Sequence, residues 1–157
     1  PAIPHSTGTI AHIVQVNRIE GGRMFVSVTG QQRFQIRNIT QYRPYLAADV
    51  ELLEEETEAS IPHHEVEAVR LAVTQYLSLI LGMRGGWIRE TRIPSDPLAL
   101  SYFIAGVLQV ELPEKQTLLE HSSASTRLEA ELDLLRREVE NLVPRVTREL
   151  RGRFSRQ

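Results

Sequence analysis

The hydrophobic pattern changes its period once along the chain. Up to about residue 54 apolar positions tend to alternate with polar ones, and from residue 60 they recur every three or four residues. A period of two lines one face of a strand, and a period near 3.6 lines one face of a helix. The pattern therefore predicts strands first and helices second, an α+β fold.

In the first part, Thr9–Asn17 is β-branched and mostly apolar and reads as a strand. Glu20-Gly21-Gly22 supplies a turn, since glycine takes positive φ without steric cost. Met24, Val26 and Val28 alternate with Phe25, Ser27 and Thr29 and give the returning strand of a hairpin. Gly30-Gln31-Gln32 is expected to break it. Arg33–Arg37 then forms a third strand, with Phe34 and Ile36 facing in and Arg33, Gln35 and Arg37 facing out. Tyr45–Leu53 reads as a fourth strand, and the acidic run from Glu54 to Glu58 as its solvated end.

In the second part, Ser60 is a plausible N-cap and Pro62 suits a first turn. Val66, Val69, Val73, Tyr76, Leu77 and Ile80 then share one helix face, and Gly82 loosens the end. Residues 84–94 read as a loop carrying the single tryptophan. Asp96-Pro97 opens a second helix, Leu98–Val110, apolar nearly all round and so buried. A third helix runs from Pro113 to about His121. The fourth starts at Ser122-Ser123 or at Ser125 and carries its own seam, Leu128, Leu132, Leu135, Val139, Leu142 and Val146. That seam must find a partner, and the upstream helices are the expected one. Pro144 interrupts it. An interior proline costs about 3 kcal/mol through a lost hydrogen bond and a ring clash, so a kink or a stop is expected there, followed by an Arg-rich arm. Two domains follow from the change of period, 1–59 and 60–157.

Composition narrows the function. A net charge of −2 argues against nucleic acid as a partner. The absence of cysteine removes disulfides, thiolate metal sites and a cysteine nucleophile, and fits a reducing compartment such as the cytoplasm. The longest apolar run, Tyr76–Met83, is too short to span a bilayer, so no membrane is expected.

Catalytic chemistry is not legible. No serine has a base at a recognised spacing, and Lys115 is the only lysine. His63 and His64 are adjacent at a helix start and point to different faces. No phosphate-cradling glycine motif occurs. No catalytic residue, cofactor or metal is therefore assigned. The binding candidates are the apolar residues around the 82–94 loop, Met83, Trp87, Ile88 and Ile93. The competing reading packs Trp87 as core.

The residues also resemble a known family. Gly8-Thr9-Ile10-Ala11, Gly21-Gly22, and Gly30 with Arg33-Phe34 are similar to the "GTxAxI…G…RF" run of the N-terminal substrate-binding (LON) domain of Lon proteases. Pro44-Tyr45 with Ala48, Val50 and Glu54 resembles that domain's next strand. Asp96-Pro97, Ile104-Ala105, Glu114-Lys115-Gln116, Leu118-Leu119-Glu120 and Arg127-Leu128 follow the family order through the helical half. Ser101-Tyr102 depart from it, standing where the family carries an Ala-Asp pair.

The resemblance implies a PUA-like antiparallel β lobe followed by a small helical bundle that ends in a long helix. The family's domain usually starts with further strands upstream of the Gly-Thr motif. The β lobe here is thus expected to be incomplete at its N-terminus and to expose a strand edge. The implied function is non-catalytic: recognising unfolded or damaged proteins and aiding homo-oligomer assembly of a Lon-type protease, whose ATPase and Ser–Lys protease domains would be further partners. The alternative is a standalone LON-domain adaptor or scaffold without ATPase or protease activity. Whether the parent is an enzyme stays open at this point, as does a PUA-like RNA-binding role.

Overall fold

The computed structural model describes residues 3–55, 61–83 and 92–154, with side chains placed to residue 148. The chain divides into two compact units, Pro1–Glu55 and Glu56–Gln157. The boundary expected at 59/60, and Ser60 as a cap, fall among residues 56–60, outside the described residues.

The first unit is an antiparallel three-stranded meander, β1 (Thr7–Arg18), β2 (Met24–Gln41) and β3 (Ala47–Leu52), with β2 in the centre. The β1–β2 turn is the expected one, with Gly21 and Gly22 at φ 78° and 74°. The expected break at Gly30 does not occur, because the two strands read on either side of it are one strand of 18 residues. Gly30 pairs with Ala11 and Gln32 with Ile10, so Gln31 is the extra residue of a bulge. A bulge absorbs the polar triplet without ending the ladder, so the break in alternation does not mark a strand end.

Arg33 is a second correction. Alternation places it outward, yet it is only 4% exposed and pairs with Glu55 at 3.0 Å. Its carbonyl also accepts the Leu53 N–H. One member of the acidic run therefore serves as the counter-charge of a buried arginine.

The second unit is helical: α1 (His63–Met83), α2 (Pro97–Val107), α3 (Leu112–Glu120) and α4 (Ala124–Phe154). The Asp96 side chain accepts the Ala99 N–H at 2.8 Å and Pro97 follows it, so α2 opens where its cap and proline place it. Of the three candidate serines, Ser123 caps α4, accepting the Thr126 N–H at 3.2 Å.

The core of this unit runs along the α4 seam. Leu128, Leu135 and Leu142 are buried against Val66, Val69, Val73, Tyr76 and Ile80 of α1 and against Leu100 and Ile104 of α2. Burying one such side chain contributes about 1.5–3 kcal/mol. The second helix is less uniformly buried than its composition suggests, since Tyr102 and Gly106 lie on an exposed side. By length and mean hydropathy (1.3) α1 is able to cross a bilayer. Its buried residues nonetheless follow one face, while Glu67, Thr74 and Ser78 occupy exposed positions, the arrangement of a core helix. The fourth helix continues through Pro144 to Phe154, so the expected stop is absent.

Candidate functional site

Three regions have the makings of a site. The first is the sheet. Among the described residues β1 and β3 each pair only with β2, leaving an unpaired edge on both sides. Both faces also expose apolar side chains, including neighbours of opposite orientation such as Ile13 and Val14 on β1, 58% and 64% exposed, and Phe25 and Val26 on β2. Neither face is a closed core. Such a surface offers backbone pairing and apolar contact together.

The second region is a buried polar node in the helical unit, which no sequence motif announced as a cluster. The Arg127 guanidinium is 1% exposed. It donates to the carbonyls of Leu118 (3.2 Å) and His121 (3.0 Å) at the end of α3, and to the Ser101 hydroxyl of α2 (2.9 Å). Its charge lies 4.5 Å from the centre of the Tyr102 ring. One turn further along α4, Glu131 is fully buried, and neither carboxylate oxygen has a well-formed hydrogen bond. Burial pushes its carboxyl up to about 9, with the Arg127 charge and the nearby Ala105 amide pulling the other way. The node holds three helices together. Its charged groups, Arg127 and Glu131, are buried, so they offer no exposed charge for binding.

The third region is an apolar cleft of about 190 Å³ between the starts of α1 and α4. Ile61, Val69, Leu128 and Leu132 line it, with Glu65 and Glu129 also among its described lining residues.

Of the residues singled out from the sequence, Met83 and Ile93 are half-buried and pack against the core of the helical unit. Trp87 and Ile88 lie outside the described residues. His63 and His64 sit on exposed positions at the start of α1.

Residues 4–137 match the family described as the ATP-dependent protease La (LON) substrate-binding domain. The chain belongs to this family. The LON domain is 30% identical to the Lon protease of Azospirillum brasilense over 161 aligned positions and to that of Escherichia coli over 156, covering 100% and 97% of this chain. It spans only 19% of the length of either relative. Among solved structures it is similar to the N terminal domain of Mycobacterium avium complex Lon protease, at 30% identity and a TM-score of 0.60. It is also similar to a Lon N-terminal domain protein from Xanthomonas campestris, at 15% identity and 0.62. Each alignment covers 83% of this chain and 69% of the other. At 15% identity the second likeness speaks for the fold alone.

In this LON domain the residues that carried the resemblance hold the fold. Gly8 pairs with Phe34 across β1 and β2, and a Cβ at Gly8 would lie 2.5 Å from the tip of the Phe34 ring. Only glycine lets the ring rest there. Lys115 donates to the Ala105 carbonyl near the end of α2 at 3.1 Å. Glu114 accepts from Arg137 of α4 at 2.6 Å, and that hydrogen bond holds its carboxyl below the usual range. Ser101 and Tyr102, which stand where the resemblance leads one to expect Ala-Asp, both contact Arg127. A hydroxyl and an aromatic face thus meet the guanidinium where a carboxylate is expected.

Proposed function

We propose that this LON domain is the non-catalytic recognition part of a Lon-type ATP-dependent protease, binding unfolded or damaged polypeptides in the cytoplasm. The observation that carries the reading is the sheet of the first unit, in which, among the described residues, β1 and β3 pair only with β2 and apolar side chains are exposed on both faces. An extended polypeptide can add to such an edge through backbone hydrogen bonds and place alternate side chains on the sheet. A folded protein has most of its backbone groups paired internally and offers few extended segments for such pairing. The family's description as a substrate-binding domain, the likeness to about a fifth of longer Lon proteases and the likeness to the N terminal domain of one of them support the same reading.

The patch around Met83, Trp87, Ile88 and Ile93 is proposed as a second contact for the same clients. In the parent chain the domain's partners are an ATPase module and a Ser–Lys protease module, and it aids assembly of their oligomer. The test is retention of one client, native and chemically unfolded, on immobilised protein. The reading expects the unfolded form alone to be retained, with less retained after Trp87→Ala. Equal retention of both forms contradicts recognition, and unchanged retention by the variant removes Trp87 from the surface.

A further inference from the structure

We infer that the cleft between the starts of α1 and α4 is a pocket for one large apolar side chain of an extended polypeptide, flanked in that polypeptide by a lysine or arginine. The inference rests on the polypeptide-binding reading above and adds a place and a sequence preference to it.

The size of the cleft sets the first half. At about 190 Å³ it slightly exceeds the roughly 150 Å³ of an apolar protein cavity that takes up benzene. It therefore suits a single phenylalanine or leucine side chain, and is too small for a folded element. Its apolar lining comes from two helices. Ile61 and Val69 contribute from the α1 side, and Leu128 and Leu132 from α4. Val69 and Leu128 also belong to the buried core, so the base of the cleft is fixed by packing that α1 and α4 already require. A preformed pocket costs a ligand less than one that must be opened.

Charge sets the second half. Among the described residues the lining includes two glutamates, Glu65 from α1 and Glu129 from α4, and no lysine or arginine. Among the described residues His64 is the one other titratable group there, its Nε2 lying 4.0 Å from a Glu65 carboxylate oxygen at an exposed position. The two helix N-termini nearby contribute about half a positive charge each, which offsets but does not outweigh two carboxylates. A basic residue beside the inserted side chain meets an attractive field, and an acidic one meets a repulsive one. At a partly exposed rim this selects among sequences more than it adds raw affinity.

The arrangement also explains how a non-catalytic domain discriminates without a defined motif. In unfolded chains an apolar side chain beside a basic residue is accessible. In folded proteins the apolar member is usually inside and unavailable.

The test uses the full chain and three fluorescent nonapeptides of otherwise identical polar sequence: Phe flanked by Lys, Phe flanked by Glu, and Ser flanked by Lys. Fluorescence anisotropy is expected to show the Lys-flanked Phe peptide binding at least about tenfold more tightly than the Ser peptide, the scale of burying one aromatic side chain, and about two- to fivefold more tightly than the Glu-flanked Phe peptide, the scale of an exposed charge pair. Ala68→Phe, at an exposed position of the cleft lining, fills the pocket and is expected to abolish that binding while the helical content is kept. Glu65→Gln with Glu129→Gln is expected to erase the Lys-over-Glu preference. Peptide-induced shifts of the Ile61, Leu128 and Leu132 methyl signals in the unaltered chain provide a readout independent of any variant. The inference is overturned if those methyls do not move, if Ala68→Phe binds as before, or if the double variant keeps the preference. Retention of an unfolded client that is insensitive to Ala68→Phe overturns the cleft alone and leaves the recognition reading standing. Peptide binding in the cleft without client retention does the reverse.

Discussion

The Arg127 guanidinium donates to the Ser101 hydroxyl at 2.9 Å, joining α4 to α2 across 26 positions of sequence. The same group closes the end of α3 through the Leu118 and His121 carbonyls. Removing it takes a donor from the Ser101 hydroxyl and the Leu118 carbonyl inside the unit and from the His121 carbonyl at its half-exposed edge. Arg127→Met is expected to lower the stability of the helical unit by about 3–5 kcal/mol, since hydrogen bonds to a buried charge are each worth more than neutral ones. Ser101→Ala removes one acceptor and is expected to cost about 1–3 kcal/mol. Urea denaturation followed by far-UV circular dichroism measures both.

Glu131 gives the helical unit a defined pH dependence. Its carboxyl holds a proton up to about pH 9 in the folded chain, against an ordinary value of 4.5. Between those values the folded state binds more protons than the unfolded state, so stability falls as pH rises. The slope is at most about 1.4 kcal/mol per pH unit, and the effect levels off above the folded value. Glu131→Gln keeps the shape and removes the proton. It is expected to flatten the decline between about pH 5 and 9 and to be at least as stable as the unaltered chain at neutral pH. A decline that persists in Glu131→Gln assigns it to another group.

Gly8 and Phe34 make a parallel test in the β unit. Gly8→Ala pushes a methyl against the Phe34 ring and is expected to cost about 1–2 kcal/mol, because the ring has to move. Phe34→Leu in the same chain shortens the obstructing side chain and is expected to recover part of that loss. Amide hydrogen exchange across the β1–β2 ladder reads the effect on this unit. A double variant no better than the sum of the single ones shows that the two residues do not meet.

Pro144 lies inside α4 and has no N–H for the helix ladder. Pro144→Ala restores a hydrogen bond to the Glu140 carbonyl and removes the ring clash. It is expected to slow amide exchange around residues 140–148, with a local gain of up to about 3 kcal/mol. No gain there means the helix has already adjusted to its proline.

Much of the helical unit was legible because its signals are local. Asp96-Pro97 marks a helix start by a cap and a ring, and the Leu128-to-Leu142 seam marks a buried face by spacing alone. What escaped depends on partners far apart in sequence. Arg33 alternates outward on paper and is drawn inward by Glu55, 22 positions on. The bulge at Gln31 reads as a break because the partner strand that accommodates it is invisible to a local pattern. The Ser101–Arg127 node was present only as an unexplained departure at 101–102 and as part of a family match at 127. Glu131 had a usable signal: it lies three positions after Leu128 and four before Leu135, beside the seam, where a carboxylate is costly. The apolar cleft has no sequence signature, since Val69 and Leu128 look like ordinary core positions.

The most direct test of the account is equilibrium binding of one labelled polypeptide in two forms to this chain: native, and permanently unfolded by substitution, at equal concentration and ionic strength. Saturable binding of the unfolded form with no detectable binding of the native form is the outcome expected of a LON domain that recognises unpaired backbone and apolar side chains. Equal binding of both forms, or none of either, contradicts it.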